Sequence, residues 1–376
     1  MSFRFLHTAD WQIGMKAAHA GRAAEKVREA RLRSAARVIA IANERGVDAV
    51  ILAGDTCEDS NVPRDLVRRV ADILRQSVAP VFVLPGNHDP LSQKGVFDHF
   101  AWQDVSQRVT ILRDRNPIAV GEADLFPCPL RRASSVEDPL ADLPSGSGPR
   151  TRIRVGIAHG SLMGAAAPDE DIVEDFPMDR AHAERAWLDY LALGHWHSHS
   201  AHDVKGVARV TYSGTHEPTK FGETGGCLLV TIDAPGACPT IEKIPCAEME
   251  WRQRTVVLSA AGELEKIRRE MGAEAPESAS RVLLDLKLEG TTSVADHERL
   301  ADLESLLKER FLHARLRRDK LRLLPEGDQW IETLPPGAPR ATARALMAQA
   351  ATEGREAEVA VRALAVLFEV AGVGSK

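Results

Sequence analysis

The sequence predicts an α/β protein: two mixed β-sheets flanked by helices, then a small α+β domain and a C-terminal helical tail. Three observations carry that prediction. Short apolar runs alternate with longer helical patterns over the first third of the chain, as strand–helix–strand units of a parallel sheet do. From about residue 109 the apolar runs crowd together with few helices between them, which suits an antiparallel or mixed sheet. Past about residue 245 the strand and helix pattern restarts. At 376 residues the chain has room for such an arrangement, since domains average roughly 100–200 residues.

The elements follow in order. Phe3–Thr8 reads as the first strand. Residues 23–45 carry Val27, Ala30, Ser34, Val38, Ile41 and Ala42 at helical spacing, and Gly46 suits the position after the helix end. Ala49–Ala53 is a second strand, 63–76 a helix with proline in its first turn, and 80–84 a third strand. Residues 109–112, 123–126, 153–158, 190–193, 208–212 and 227–232 read as further strands, and 134–150 as a polar surface loop. A first domain is therefore assigned to 1–244. In the second, 245–332, residues 255–259 and 281–288 read as strands and 262–271 and 293–311 as helices. Ser293 with Asp296 three residues on forms a capping-box pattern. Residues 314–324 form a further apolar–basic segment. Three prolines and a glycine make 333–339 a linker, and 340–376 is an Ala-rich helical region.

Composition excludes more than it selects. A net charge of −6, from 48 basic and 54 acidic residues, gives no overall nucleic-acid signature, so any basic patch must be local. Five cysteines without a CxxC spacing point to reduced thiols and a cytoplasmic setting. The N-terminus lacks a secretory pattern, and no apolar run reaches the ~18 residues a membrane span needs, so no membrane association is expected.

The chemistry lies in five motifs: Asp10-Trp11-Gln12, Gly54-Asp55, Gly86-Asn87-His88-Asp89, His159-Gly160 and Gly194-His195-Trp196-His197. Each follows an apolar run, where a buried strand would end. Each offers oxygen or imidazole ligands of the kind Mn²⁺, Fe²⁺ or Zn²⁺ accept. Asp55, with two carboxylate oxygens, can bridge two cations, and paired cations suit hydrolysis of a phosphate ester. His88 beside such a site is a proton donor to a leaving alkoxide, and Asp89 can hold its ring in one tautomer. Taken singly, each motif reads as a turn and each histidine as a satisfied polar group. Five in this order, each after a strand, do not. His7 reads as core; His19, His99, His182, His199, His202, His297 and His313 read as surface groups; His216 stays open; Cys57 reads as a small buried thiol.

These motifs resemble those of the calcineurin-like metallophosphoesterases. The opening Phe5-Leu6-His7-Thr8-Ala9-Asp10-Trp11-Gln12-Ile13-Gly14 resembles the SbcD-type DNA repair exonucleases, nuclease subunits that partner an SMC-like coiled-coil ATPase of the SbcC type. The resemblance covers roughly residues 1–235. It implies a four-layer sandwich and two divalent metal ions, with Mn²⁺ expected. It places Asp10, Gln12, Asp55 and His197 around one ion, Asp55, Asn87, His159 and His195 around the other, and His88 as catalytic acid. It implies a metal-dependent DNA phosphodiesterase (an exonuclease, with endonuclease action allowed) in double-strand-break processing, a homodimer, and docking of the ATPase through 340–376. Gln12 departs from the family, which usually has histidine there, and Thr56-Cys57-Glu58-Asp59 lacks a histidine the family often carries. Two alternatives stand: a small-molecule or nucleotide phosphodiesterase on the same fold, and an attenuated DNA-end-binding subunit of an ATPase complex, which Gln12 favours.

Two further features bear on partners. Arg315, Arg317, Arg318 and Lys320, with Lys308, Arg310 and Arg322 nearby, form a basic cluster able to neutralise DNA phosphates; interleaved with Glu309 and Asp319, it equally suits a solvated face. Leu346, Val359, Leu364, Val366, Leu367 and Phe368 give the tail an apolar face, suited to the ATPase or to its own protein.

Overall fold

A computed structural model describes residues 2–165, 175–204, 207–259, 262–324 and 327–371. The chain divides into two compact units, Met1–Glu250 and Trp251–Lys376. Among its described residues the first contains twelve strands: β1 Phe3–Thr8, β2 Ala49–Ala53, β3 Val81–Leu84, β4 Val109–Ile111, β5 Ile118–Val120, β6 Ala123–Pro127, β7 Ile153–His159, β8 Tyr190–Gly194, β9 Ser200–Val204, β10 Val207–Tyr212, β11 Gly226–Ile232 and β12 Thr240–Pro245.

They form two six-stranded sheets, ordered β12-β11-β1-β2-β3-β4 and β5-β6-β7-β8-β10-β9. β1 to β4 run parallel, β11 joins β1 antiparallel, and β12 joins β11 antiparallel. β6, β7, β8 and β10 run parallel, with β5 and β9 antiparallel at the two edges. Both sheets are thus mixed. All five residues of β2 are buried, as a central parallel strand covered on both faces requires.

Side-chain alternation builds the layers. Phe5, Ile51 and Phe82 face Leu125, Val155, Ile157 and Tyr190 of the second sheet. Leu6, Val50, Leu52 and Val83 point the other way, onto Val38, Ile39, Val67 and Val70 of the helices Ala24–Arg45 and Arg64–Leu74. On the far side of the second sheet, Ala158, Leu191 and Leu193 pack against Leu140, Met178, Ala183 and Ala186. The layers are helix, sheet, sheet and helix, as expected.

Three strands escaped the sequence reading: β5, β9 and β12. Each is an edge strand, and β12 alternates exposed with half-buried residues rather than running apolar. Because β12 completes the first sheet, the first unit runs to Glu250.

The second unit carries a three-stranded sheet, ordered β13 Glu250–Leu258, β14 Val282–Thr292 and β15 His313–Leu323. β14 and β15 are parallel, so the chain between them must cross over, and it does so through helices. The expected single helix over 293–311 is two, Val294–Glu298 and Leu300–Arg310. Ser293 caps the first by accepting from the Asp296 amide. The apolar–basic segment at 314–324 is β15 itself. The tail forms helices Ala338–Ala350 and Arg355–Val370, parted before Gly354 at φ 100°. Pro339 lies in the first turn of the first, so the last two residues of the expected linker are helical and 334–337 join the elements as a turn. Ala343, Leu364 and Phe368 close around Trp330, Ile331 and Leu334 of the same unit. No described helix is long and apolar enough to cross a membrane.

Candidate metal centre

The five motifs leave the carboxyl ends of β1, β2, β3, β7 and β8, which lie level because those strands are parallel within each sheet. Asp10 and Asp55 each stand two residues past a strand, His159 ends β7, and His195 follows β8. Backbone bonds bind the turns together: Asp10 N donates to Gly54 O at 3.1 Å and Gln12 N to Asp55 O at 2.9 Å. The fit leaves no room for a side chain at two glycines. A Cβ at Gly54, φ 96°, would lie 2.1 Å from His159 Nδ1, and one at Gly86 would lie 2.1 Å from Asp55 Oδ1.

Asp10, Asp55 and His159 offer ligand atoms that all lie within 4.8 Å of one another, and all three are buried. His159 Nδ1 lies 2.9 Å from Ala53 O, which can only accept, so Nδ1 carries the proton there and Nε2 faces the site. Nε2 is 2.8 Å from Asn87 Oδ1 and 3.4 Å from Asp55 Oδ2. His195 donates its backbone N–H to Asp10 Oδ1 at 3.0 Å and brings Nδ1 to 3.2 Å from Asn87 Oδ1. His197 Nε2 lies 3.1 Å from the Gln12 side-chain amide; half a turn of that amide presents Oε1 at the same place. All seven expected ligands, Asp10, Gln12, Asp55, Asn87, His159, His195 and His197, are therefore brought to one locus.

The polar atoms there ask for a cation. Asp55 Oδ2 and His195 Nε2 are buried without a hydrogen-bond partner, and buried polar groups are rarely left so. Burial pushes the Asp10 carboxyl up to about 6, against the pull of His159 and His197. Burial pushes Asp55 the same way, but the adjacent His159 outweighs it and holds that carboxyl below the usual range. Burial works to lower His159, yet facing Asp55 raises it to about 9. Burial, then the neighbouring His159, push His195 down to about 3. Buried charges persist when paired or bound to metal, and this oxygen and imidazole donor set fits two divalent transition ions. Burial, first of all, pushes the Cys57 thiol well up, so it stays protonated, as expected of a small buried thiol.

The backbone is strained at the same point. Asp10 (φ 54°), Gln12 (φ 42°), Asp55 (φ 52°) and His195 (φ 109°) adopt left-handed conformations. Such residues cost about 1–3 kcal/mol each and collect at functional sites.

His88 stands at the rim, its side chain 40% exposed, with Nε2 3.9 Å from Asp55 Oδ2. Its Nδ1 lies 2.8 Å from Glu58 O, so that nitrogen donates. This corrects the role given to Asp89. Asp89 is fully buried, and its oxygens accept from the Gly86 and Cys57 amides at 2.9 Å each. It ties two ligand turns together, and the carbonyl of Glu58 orients His88. His216, left open by its sequence, is a buried wall: Nε2 lies 2.8 Å from Arg31 O and the ring tilts against Trp11.

Sequence reasoning missed the groups that orient the ligands. His197 Nδ1 lies 2.7 Å from Thr219 Oγ1 and 3.6 Å from Glu223 Oε1. Glu223 Oε2 accepts in turn from Thr219 N and Oγ1. A carboxylate behind a ligating imidazole sets its orientation and basicity. Nothing in the local sequence marks Thr219 or Glu223. Arg31 was detectable, as a charged residue at an inward position of the first helix.

The basic cluster of the second unit is partly spent. Arg317 grips buried Asp285 with both arms of its guanidinium, one bond at 2.9 Å, so it is corrected from DNA contact to structural ion pair. Lys320 lies 3.7 Å from Glu289, while Arg315 and Arg318 are exposed.

The family profile described as Calcineurin-like phosphoesterase matches residues 3–208. The SbcD component of the nuclease SbcCD of Escherichia coli (strain K12) is 28% identical over 261 residues, covering 59% of this chain and 62% of that protein. DNA double-strand break repair protein Mre11 of Methanopyrus kandleri is 24% identical over 292 residues, covering 69% of this chain and 60% of that protein. The chain spans about three fifths of the length of these curated relatives.

Proposed function

The chain belongs to the calcineurin-like phosphoesterase family, and from that premise we propose that it is a metal-dependent DNA phosphodiesterase acting in double-strand-break processing. The observation that carries the reading is the buried Asp10–Asp55–His159 group with His88 at its rim. Asp10, Gln12, Asp55 and His197 would hold one divalent ion, and Asp55, Asn87, His159 and His195 the other. Two such ions, with Mn²⁺ expected, supply positive charge to the phosphate and acidify a water.

The chain's own residues do the rest. Asp55, between both ligand sets, fixes their spacing. Asn87 and His195 Nδ1 meet at 3.2 Å and close one side. His88, with Nδ1–H on Glu58 O, leaves Nε2 facing the site, and as the imidazolium it would give the Nε2 proton to the departing sugar oxygen and be left neutral. DNA as substrate is supported by the similarity to a nuclease component and to a double-strand break repair protein. A coiled-coil ATPase partner and a homodimer, both implied by the resemblance, and a cytoplasmic setting, implied by the cysteine usage, belong to the same proposal. The alternative of an attenuated DNA-end-binding subunit draws on Gln12, a neutral amide beside His197.

The deciding assay is cleavage of linear duplex and single-stranded DNA with Mn²⁺, alongside a chromogenic phosphodiester. The nuclease reading expects DNA cleavage. Hydrolysis of the small ester alone moves the protein to small substrates, and tight DNA binding without hydrolysis moves it to the clamp.

A further inference from the structure

Arg31 lies on the inward face of the helix Ala24–Arg45, among Val27, Ala30, Ser34 and Val38, and is 1% exposed. An arginine in such a place is costly unless its donors are all met. Here they are met without any carboxylate. Nε donates to Trp11 O at 3.0 Å. Nη1 donates to Glu217 O at 2.8 Å and Pro218 O at 2.9 Å. Nη2 donates to Trp11 O at 2.7 Å, with Asp10 O at 3.4 Å and Thr215 Oγ1 at 3.3 Å. Glu217 turns its carboxylate elsewhere, to Ser34 and the amides of Glu248 and Met249. Burial lowers the guanidinium to about 10, so it stays charged at neutral pH.

Those acceptors share a purpose. Trp11 stands between Asp10 and Gln12, the two left-handed residues of the first motif, and such turns persist only when their surroundings hold them. Thr215 Oγ1 adds a bond to Asp10 O at 2.8 Å. On the other side, Glu217 and Pro218 lead straight into Thr219, whose hydroxyl holds His197 Nδ1. One guanidinium thus fastens both turns that present Asp10, Gln12 and His197. Among its described contacts, none reaches Asn87, His159 or His195.

We propose that Arg31 is a positioning residue for one ion site only, the one formed by Asp10, Gln12 and His197, acting through the backbone carbonyls it clamps. This rests on the two-ion reading above. The test titrates the full chain with Mn²⁺ alone by calorimetry, then records electron paramagnetic resonance of the loaded protein. Arg31→Lys keeps the charge and loses the planar fork. The expected result is one Mn²⁺ bound as in wild type and the other bound about 10–100-fold more weakly, with the spin-coupled pair signal replaced by that of an isolated ion. Thr215→Val, which removes the hydroxyl of the same clamp, is expected to weaken the same ion and serves if Arg31→Lys does not fold. Wild-type affinity for both ions in a folded variant overturns the proposal, and so does equal weakening of both. A wild-type chain that binds no Mn²⁺ at all instead takes down the two-ion reading, and this proposal with it.

Discussion

At the scale of single residues, the candidate ligands were legible because their chemistry is local: a polar oxygen or imidazole directly after a buried strand has few other reasons to recur five times. Their supports were not legible. Asp89 looked like a partner for the neighbouring His88, yet its carboxylate spans to the Cys57 amide, 32 positions away in sequence. Glu223 and Thr219 act on His197 across a loop. Such roles are set by which backbone groups the fold leaves unpaired. Gln12 gives a direct prediction. An imidazole binds a transition ion more tightly than a neutral amide oxygen, so Gln12→His should tighten one Mn²⁺ about tenfold or more, read by calorimetry; unchanged affinity would show that Gln12 does not reach the ion.

His7 gives a pH prediction at the same scale. Burial pushes its imidazole down to about 3 from an ordinary 6.5. Above pH 6.5 both folded and unfolded chains carry it neutral, so it contributes nothing. As pH falls from 6.5 toward 3 the unfolded chain takes a proton that the folded chain refuses, and stability is lost at about 1.4 kcal/mol per pH unit. The loss of urea stability between pH 7.5 and 5.5 should therefore be about 1.4 kcal/mol larger in wild type than in His7→Gln, the other buried histidines contributing equally to both. Equal losses in both proteins would place the acid sensitivity elsewhere.

At the scale of elements, runs buried on both faces announced themselves and edges did not. β2 and β3 are unbroken apolar stretches, whereas β12 alternates with exposed polar positions and passes for loop. The helix expected over 293–311 broke at Arg299, where two helices meet without a proline or glycine to signal it. The tail shows how an apolar face in sequence can have two destinations. Leu364 and Phe368 are consumed against Trp330 and Ile331, while Val359, Val366 and Val370 stay exposed. Phe368→Ala should therefore destabilise the second unit by about 3–5 kcal/mol, seen as an earlier unfolding step in calorimetry. A variant as stable as wild type would contradict the intramolecular packing, since Phe368 would then be solvent-facing.

At the scale of the whole molecule, the class of the first unit was readable from the succession of apolar runs and helical patterns, without its three edge strands, and the second unit's class from its renewed pattern. What sequence could not assign was the use of charge. Four basic residues looked equivalent, but Arg317 neutralises a buried aspartate while Arg315 and Arg318 face solvent. Partner choice is likewise a property of surfaces that only assembly reveals. On the proposed function, the residues at the strand ends would hold Mn²⁺ and His88 would supply the proton for DNA cleavage. The measurement that tests it most directly is the rate of linear-duplex cleavage with Mn²⁺ for wild type and His88→Ala, with Mn²⁺ binding measured on both. The account predicts unchanged binding of both ions and a rate about 10²–10⁴-fold lower in the variant. Cleavage at the wild-type rate by His88→Ala, or loss of the metal together with the rate, would contradict it.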